Sequence, residues 1–438
     1  MTARKRGPLR GLLIDLTPIQ TSADFRRLWF SSMITTWCRQ TVIVAMPFQV
    51  FVVTHSSLWV GLLAMTQAFA LVATGLYGGS LVDRFDRRRI LVGSKAVAAS
   101  ASLLLTLSAL SAHYLSVPLW TVFVLAAVGT AGWSLDQSAR AATVPRLVSR
   151  HLLPSALSLV QMQNQAGAIA GPAIGGLLIA SFGLPAAYGF DVLGFLPAAY
   201  LVATLRPQAP TGEQVSIGWR APLEALRFVR GSKILLSIFA ADLNATIFGM
   251  PTAVFPAIAL SVLHIGPSGL GLLYSAPAAG ALIASLASGW VRRAKRQGAI
   301  IIGAIAVWGL AITAFGLSGR LFWLGLAFLA IAGAGDMVSA TFRSTILQLS
   351  VPDSMRGRIS AFNTMVTSTG PRLGDLEAGT VAALVSPIFS VVSGGLLSVA
   401  GILVVAALSP TLRGYRDTHS LPAGTTGIDG GAEGAVGT

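Results

Sequence analysis

Charge is what this sequence has least of. Only 11% of its 438 residues are Asp, Glu, Lys or Arg, against about a quarter in an average soluble protein. So few charges cannot keep the surface of a soluble protein this size wet. With 54% hydrophobic residues and a mean hydropathy of +0.72, the chain is an integral membrane protein. Acidic residues are scarcer still, 16 against 31 basic, for a net charge of +15. That excess would suit nucleic acid, but the basic residues fall in short clusters between apolar runs, so nucleic acid is not an expected partner. The single cysteine, Cys38, sits inside an apolar run, which excludes a disulfide framework and a cysteine-based metal site. There is no Gly-x-x-x-x-Gly-Lys-Ser/Thr phosphate loop, so ATP is not consumed by that mechanism. Neither a histidine–carboxylate metal cluster nor a nucleophile–base pair stands out. An enzyme, a cofactor and a bound metal are therefore not expected. Residues 1–20 are basic but lack an apolar core long enough for a signal peptide, and read as a cytoplasmic tail.

Apolar runs of 18 or more residues mark membrane-spanning helices. Twelve are predicted, at 28–53, 58–82, 90–111, 118–138, 157–181, 184–205, 234–262, 267–291, 299–318, 321–342, 359–384 and 386–409. The first and seventh contain Pro47, Pro251 and Pro256 and should kink or tilt. Of the lysines and arginines, all but Arg39, Lys95, Arg320 and Arg372 fall in the tails or in alternate loops. The positive-inside rule makes that side, with both termini, cytoplasmic. The organisation is then a tail at 1–27, a six-helix bundle at 28–205, a linker at 206–233, a second six-helix bundle at 234–409 and a disordered tail at 410–438. Within the linker, residues 219–230 alternate apolar and basic and should lie along the inner membrane surface.

The halves repeat. Gly61-Leu62-Leu63 recurs as Gly271-Leu272-Leu273, Gly79 as Gly289, and Val144-Pro145 as Val351-Pro352, while His55 and His264 precede spans 2 and 8. Six plus six related spans is the plan of an alternating-access transporter, with the substrate between the halves.

Span 2 runs into Gly79-Ser80-Leu81-Val82-Asp83-Arg84-Phe85-Asp86-Arg87-Arg88-Arg89. This resembles the loop 2–3 motif of the major facilitator superfamily, G-x-L-x-D-R-x-G-R-R, with Asp86 where glycine is usual. The resemblance implies that Gly79, Asp83, Arg84, Arg87 and Arg88 form a conformational latch of charge-assisted hydrogen bonds. Span 5 carries Gly167, Gly171, Pro172, Gly175 and Gly176 in a G-x-x-x-G-P-x-x-G-G pattern. Small residues at this spacing let helices approach closely, and the pattern is similar to the span 5 signature of drug/proton antiporters. Val44-Ala45-Met46-Pro47, Thr54-His55-Ser56-Ser57, Arg356-Gly357-Arg358-Ile359 and Leu373-Gly374-Asp375-Leu376-Glu377-Ala378-Gly379 resemble the enterobactin exporter group.

Charges inside a membrane are functional candidates, because burying them is costly. In major facilitators spans 1, 4, 7 and 10 line the cavity, and here they carry Arg39, Asp136, Asp242 and Asp336. Arg39 should hold an anionic substrate or Asp242, and Asp242 should carry the proton, with Asp336 the alternative site. Arg372 and Asp375, at i and i+3, should neutralise each other. Lys95 should snorkel to the cytoplasmic surface, and Asp191 should serve packing. The resemblance implies a monomeric, proton-coupled exporter of a small molecule in a bacterial inner membrane. A siderophore is the first substrate, and amphipathic drugs or macrolides are the alternative.

Overall fold

The computed structural model describes residues 15–110, 118–207 and 220–415, in which the secondary structure is helical. Residues 1–14 and 416–438, which hold most of the two expected tails, lie outside the described residues. The second tail begins later than expected. Pro410–Arg413 form a helical turn with Leu412 buried, and Gly298 N–H reaches the Tyr415 carbonyl at 3.4 Å.

Among the described residues, twelve long helices follow one another. In the first half they are α1 (Ala23–Thr54), α2 (Ser57–Arg84), α3 (Arg87–Leu110), α4 (Leu119–Leu147), α5 (Leu153–Phe182) and α6 (Leu184–Ala203). In the second half α7 begins at Lys233–Phe248 and resumes over Phe255–Ala257. It is followed by α8 (Gly266–Leu286), α9 (Gln297–Leu317), α10 (Phe322–Ser350), α11 (Asp353–Leu384) and α12 (Pro387–Leu408). Packing repeats with the sequence. The pairs α1/α5, α1/α6, α2/α4, α3/α4 and α3/α6 have counterparts in α7/α11, α7/α12, α8/α10, α9/α10 and α9/α12. Even the backbone repeats at the two histidines. His55 (φ 51°) and His264 (φ 55°) are, among the described residues, the non-glycine positions with positive φ. His55 caps α1 in a left-handed turn, its N–H on the Phe51 carbonyl at 2.7 Å.

Eleven of the membrane-spanning candidates are long and apolar enough to cross a bilayer; α11 is not among them. Arg356, Arg358, Arg372, Asp375 and Glu377 lie along it. Its neighbours explain how it is tolerated: α11 packs between α2, α7 and α12, so its polar face meets protein instead of lipid. Helix α1 passes Pro47 unbroken, whereas α7 stops at Phe248 and continues through a 3₁₀ turn and a π turn (Ile258–Val262). Pro251 and Pro256 lack the N–H that would carry the helix on. Side chains take up the freed backbone groups. The Trp308 indole N–H donates to the Gly249 carbonyl (2.8 Å), the Tyr274 hydroxyl to the Thr252 carbonyl (3.0 Å), and Asp375 accepts from the Ala253 N–H (2.8 Å).

The linker departs from expectation. Its helix, Arg220–Gly231, is amphipathic, and its apolar residues divide: Leu223 is exposed, while others turn into the protein. Ala225 and Val229 are buried in a cluster with Leu235 and Phe239 of α7, Leu347 of α10 and Ile359 of α11. Helices α7, α10 and α11 supply that face with a dry surface, so protein burial replaces membrane burial.

The halves meet along two seams, α2 against α11 and α5 against α8. Both are closed by glycine pairs at the ends away from the described chain termini. A Cβ on Gly61 would lie 2.7 Å from the Asp375 carbonyl oxygen, and one on Gly379 would meet Ser57 and Gly61. On the other seam Gly176 abuts Gly271 and Pro267. The repeated Gly61 and Gly271 thus hold equivalent places in the two seams. Toward its other end, α2 is open: nothing lies within 4 Å of a Cβ at Gly75. Gly61→Leu should therefore overpack the seam at a cost of about 1–3 kcal/mol, while Gly75→Leu leaves stability unchanged. Thermal melting of the two purified variants by size-exclusion chromatography checks the contrast.

Candidate transport site

Two large cavities lie between the halves among the described residues, beside a smaller one of about 60 Å³ where Gln67, Arg372 and Asp375 line the break in α7. The first, of about 270 Å³, is walled by α1, α5, α7, α8, α9 and α10, mostly through apolar and aromatic side chains such as Ile43, Phe255, Tyr274 and Trp308. Its one charged residue is Asp336. The second, of about 400 Å³, lies between α2, α4 and α11 and is rich in hydroxyls: Ser134, Ser138, Thr364, Ser368 and Thr369. Its one charged residue is Arg358.

Each half holds a cluster of three charges next to these cavities, fully buried in the first half and partly open in the second. In the first, Asp136 of α4 accepts from Lys95 of α3 at 2.8 Å and pairs with Arg140, one turn on, at 3.4 Å. Arg140 also donates to Ser32 of α1 and to Gln137. All three charges are nearly inaccessible. Lys95 therefore does not snorkel; 2% exposed, it is too deep and finds its counter-charge inside the bundle. Asp136 likewise turns into the first half instead of toward a cavity. In the second half, Arg343 of α10 pairs with Asp242 of α7 at 2.6 Å and with Asp336 at 3.9 Å, and donates to Ser339 at 2.8 Å. Asp242 is buried, whereas the Asp336 side chain is 43% accessible.

The two clusters are inverted in charge. The first has two cations on one carboxylate, the second two carboxylates on one guanidinium. The shift that superposes Val144-Pro145 on Val351-Pro352 sets Asp136 on Arg343 and Gly129 on Asp336. Arg140 and Arg343 lie at helix ends rich in basic residues, so they read as positive-inside charges. The signal that separates them is spacing. Asp136 and Arg140 are at i and i+4, and Asp336, Ser339 and Arg343 at i, i+3 and i+7 share one helical face.

Arg39 does not meet Asp242. Its guanidinium is buried and lies in the space left by Gly129, with Nη1 lacking a hydrogen-bond partner among the described residues. Asp191 accepts from Ser102 of α3 at 2.6 Å, so it holds more than a packing position. Arg39 lines neither cavity among the described residues. Arg372 and Asp375 do not form an ion pair either. Arg372 reaches across the seam to Gln67 of α2, and Asp375 is committed to the break in α7 through Thr252 and Ala253. The i,i+3 spacing permitted a pair, but each side chain finds a partner on another helix.

In span 5, Gly167, Gly171 and Gly175 face α1, where a Cβ would meet Trp37, Gln40 and Thr41, and Gly176 faces α8. The glycines thus let α5 fit between a helix of its own half and one of the other. The Pro172 carbonyl lies against Gly271 at the same crossing. At the loop 2–3 motif, Gly79 and Asp83 lie near the end of α2, outside the residues whose side chains are described. Arg84 is exposed, and Arg88 half-buried. Arg87 is buried, its guanidinium 3.4 Å from the Ala142 carbonyl of α4. Asp86 accepts from the Arg88 N–H at 2.8 Å. It is the N-cap of α3, a role a carboxylate fills better than glycine.

The profile of a family described as a transmembrane secretion effector matches residues 15–420. The chain belongs to this family of the major facilitator superfamily. Among curated relatives, it is 29% identical over 423 residues to the enterobactin exporter EntS of Citrobacter koseri, covering 94% of this chain and 98% of that one. The corresponding protein of Salmonella typhi is 29% identical over 415 residues, covering 93% and 97%. Among solved structures, a bacterial homologue of the iron transporter ferroportin in an inward-facing state aligns with TM-score 0.65 at 16% identity, covering 93% of this chain and all of that one. The major facilitator is thus a multi-pass membrane transporter, not an enzyme.

The two clusters hold their carboxylates at different depths. Asp136→Asn would leave Lys95 and Arg140 buried without their counter-charge, a loss of about 3–5 kcal/mol. Asp336→Asn removes a half-accessible surplus charge and leaves the Asp242–Arg343 pair whole. Folded yield and melting temperature should fall sharply for the first variant and stay near wild type for the second.

Proposed function

We propose that this major facilitator exports a small organic compound, of siderophore type, from the bacterial cytoplasm in exchange for protons. The observation that carries the reading is Asp336. It opens into a cavity walled by both halves while sharing one guanidinium, Arg343, with the buried Asp242. Two carboxylates on one guanidinium leave one negative charge to balance. A proton arriving through the cavity can balance it, and the partner pair then stays intact. The cluster sits on α7 and α10, whose motion relative to α1 and α5 changes access to that cavity.

Orientation and direction rest on two further supports. The positive-inside distribution sets both termini in the cytoplasm. With that orientation, the glycine crossings lie toward the outer side and the cavity between α2, α4 and α11 lies toward the cytoplasm, where cargo would load. Export and the siderophore class draw support from the full-length relatives named enterobactin exporters.

Purified protein in liposomes with an imposed pH gradient tests this. The wild type should accumulate a catecholate siderophore against its gradient. Asp336→Asn should keep substrate exchange between equal concentrations and lose the acceleration by the pH gradient. Acceleration equal to wild type in Asp336→Asn would remove the proton role from this carboxylate.

A further inference from the structure

Resting on the reading of these cavities as the cargo path, we infer that Arg358 recognises an anionic group on the cargo, and that Glu224 of the linker helix is its resident counter-ion, displaced when cargo binds. Among the described residues, Arg358 is the only charged side chain lining the cavity between α2, α4 and α11. Its Nη1 lies 3.0 Å from the Glu224 carboxylate, and the two side chains are 50% and 47% accessible. An ion pair that open to water is weak and exchangeable. The planar guanidinium fork offers the same donors to any carboxylate, sulfonate or phenolate entering the cavity.

The rest of the wall suits an aromatic anion bearing hydroxyls. Trp133 and Phe362 present rings to the cavity. The Thr369 hydroxyl, also in the lining, is buried without a hydrogen-bond partner, which costs free energy until a ligand supplies one. Gln137 lines the cavity too and accepts from Arg140 of the cluster that holds two cations on one carboxylate. The field behind the α4 wall is therefore positive, whereas Asp336 makes the other cavity negative. Organic anion and proton are drawn to different lobes. Displacing Glu224 has a structural consequence, because Arg358 ties the linker helix to α11. Once the pair is broken, Ala225, Phe228 and Val229 hold that helix by apolar contact, and cargo binding loosens the segment that joins the halves.

Equilibrium binding to the full-length protein in nanodiscs, without any ion gradient, tests the inference. The probes are tritiated 3-hydroxy-2-naphthoate and its uncharged amide. Arg358→Gln should weaken naphthoate about tenfold, the loss of one charge-assisted hydrogen-bonded contact, and leave the amide unchanged, which also reports intact folding. Glu224→Gln should strengthen naphthoate several-fold and leave the amide unchanged. Opposite effects from the two members of one ion pair are the signature of competition. Equal weakening by both variants would make the pair a structural tie and overturn the inference, as would unchanged naphthoate binding in Arg358→Gln. Absence of binding of both probes to the wild type would overturn it too. Proton coupling would remain to be judged by the liposome flux alone.

Discussion

A charge buried in a membrane protein must be met by an opposite charge, because desolvating it alone costs several kcal/mol. The rest of this transporter is arranged around that requirement. Each half satisfies it with a cluster of three, and three charges of two signs cannot cancel. The first half leaves a positive remainder sealed inside the bundle. The second leaves a negative remainder, and its least buried member, Asp336, faces the space between the halves. On the proposed reading, one remainder sets the field of a cavity and the other is discharged by a proton. Structural and functional charges therefore differ less in kind than in access.

The seams impose a second constraint. Lipid offers no hydrophobic gain for pressing helices together, so close approach must come from small residues. Gly61 against Gly379 and Gly176 against Gly271 bring backbones into contact at one end of each seam, while the cavities occupy the space where the helices part. Both crossings lie at ends that the charge pattern assigns to the outside. The break in α7, stitched by Trp308, Tyr274 and Asp375, lies beside the same seams and gives the second half a joint that the continuous α1 lacks.

Much of this was legible in the residues. Apolar runs and basic clusters mark the helices and their order, because bilayer thickness and the cost of a lipid-exposed backbone leave few options. The repeats at Gly61 and Gly271 and at His55 and His264 mark equivalent crossings and turns. Partner choice was not legible. Asp191 takes Ser102, Asp242 takes Arg343, and Arg372 takes Gln67, because partners are set by helix rotation and three-dimensional proximity, which span boundaries do not contain. The polarity of α11 and the docking of the linker helix escaped for the same reason: both depend on neighbours far along the chain.

Infrared difference spectroscopy of the purified protein, comparing alkaline with mildly acidic buffer, reads protonated carboxyl groups directly. The account predicts a carboxylic C=O band that appears on acidification in the wild type and is lost in Asp336→Asn. A band that persists unchanged in Asp336→Asn would show that the exchangeable proton resides elsewhere and would contradict the assignment of the surplus charge to the second half's cluster.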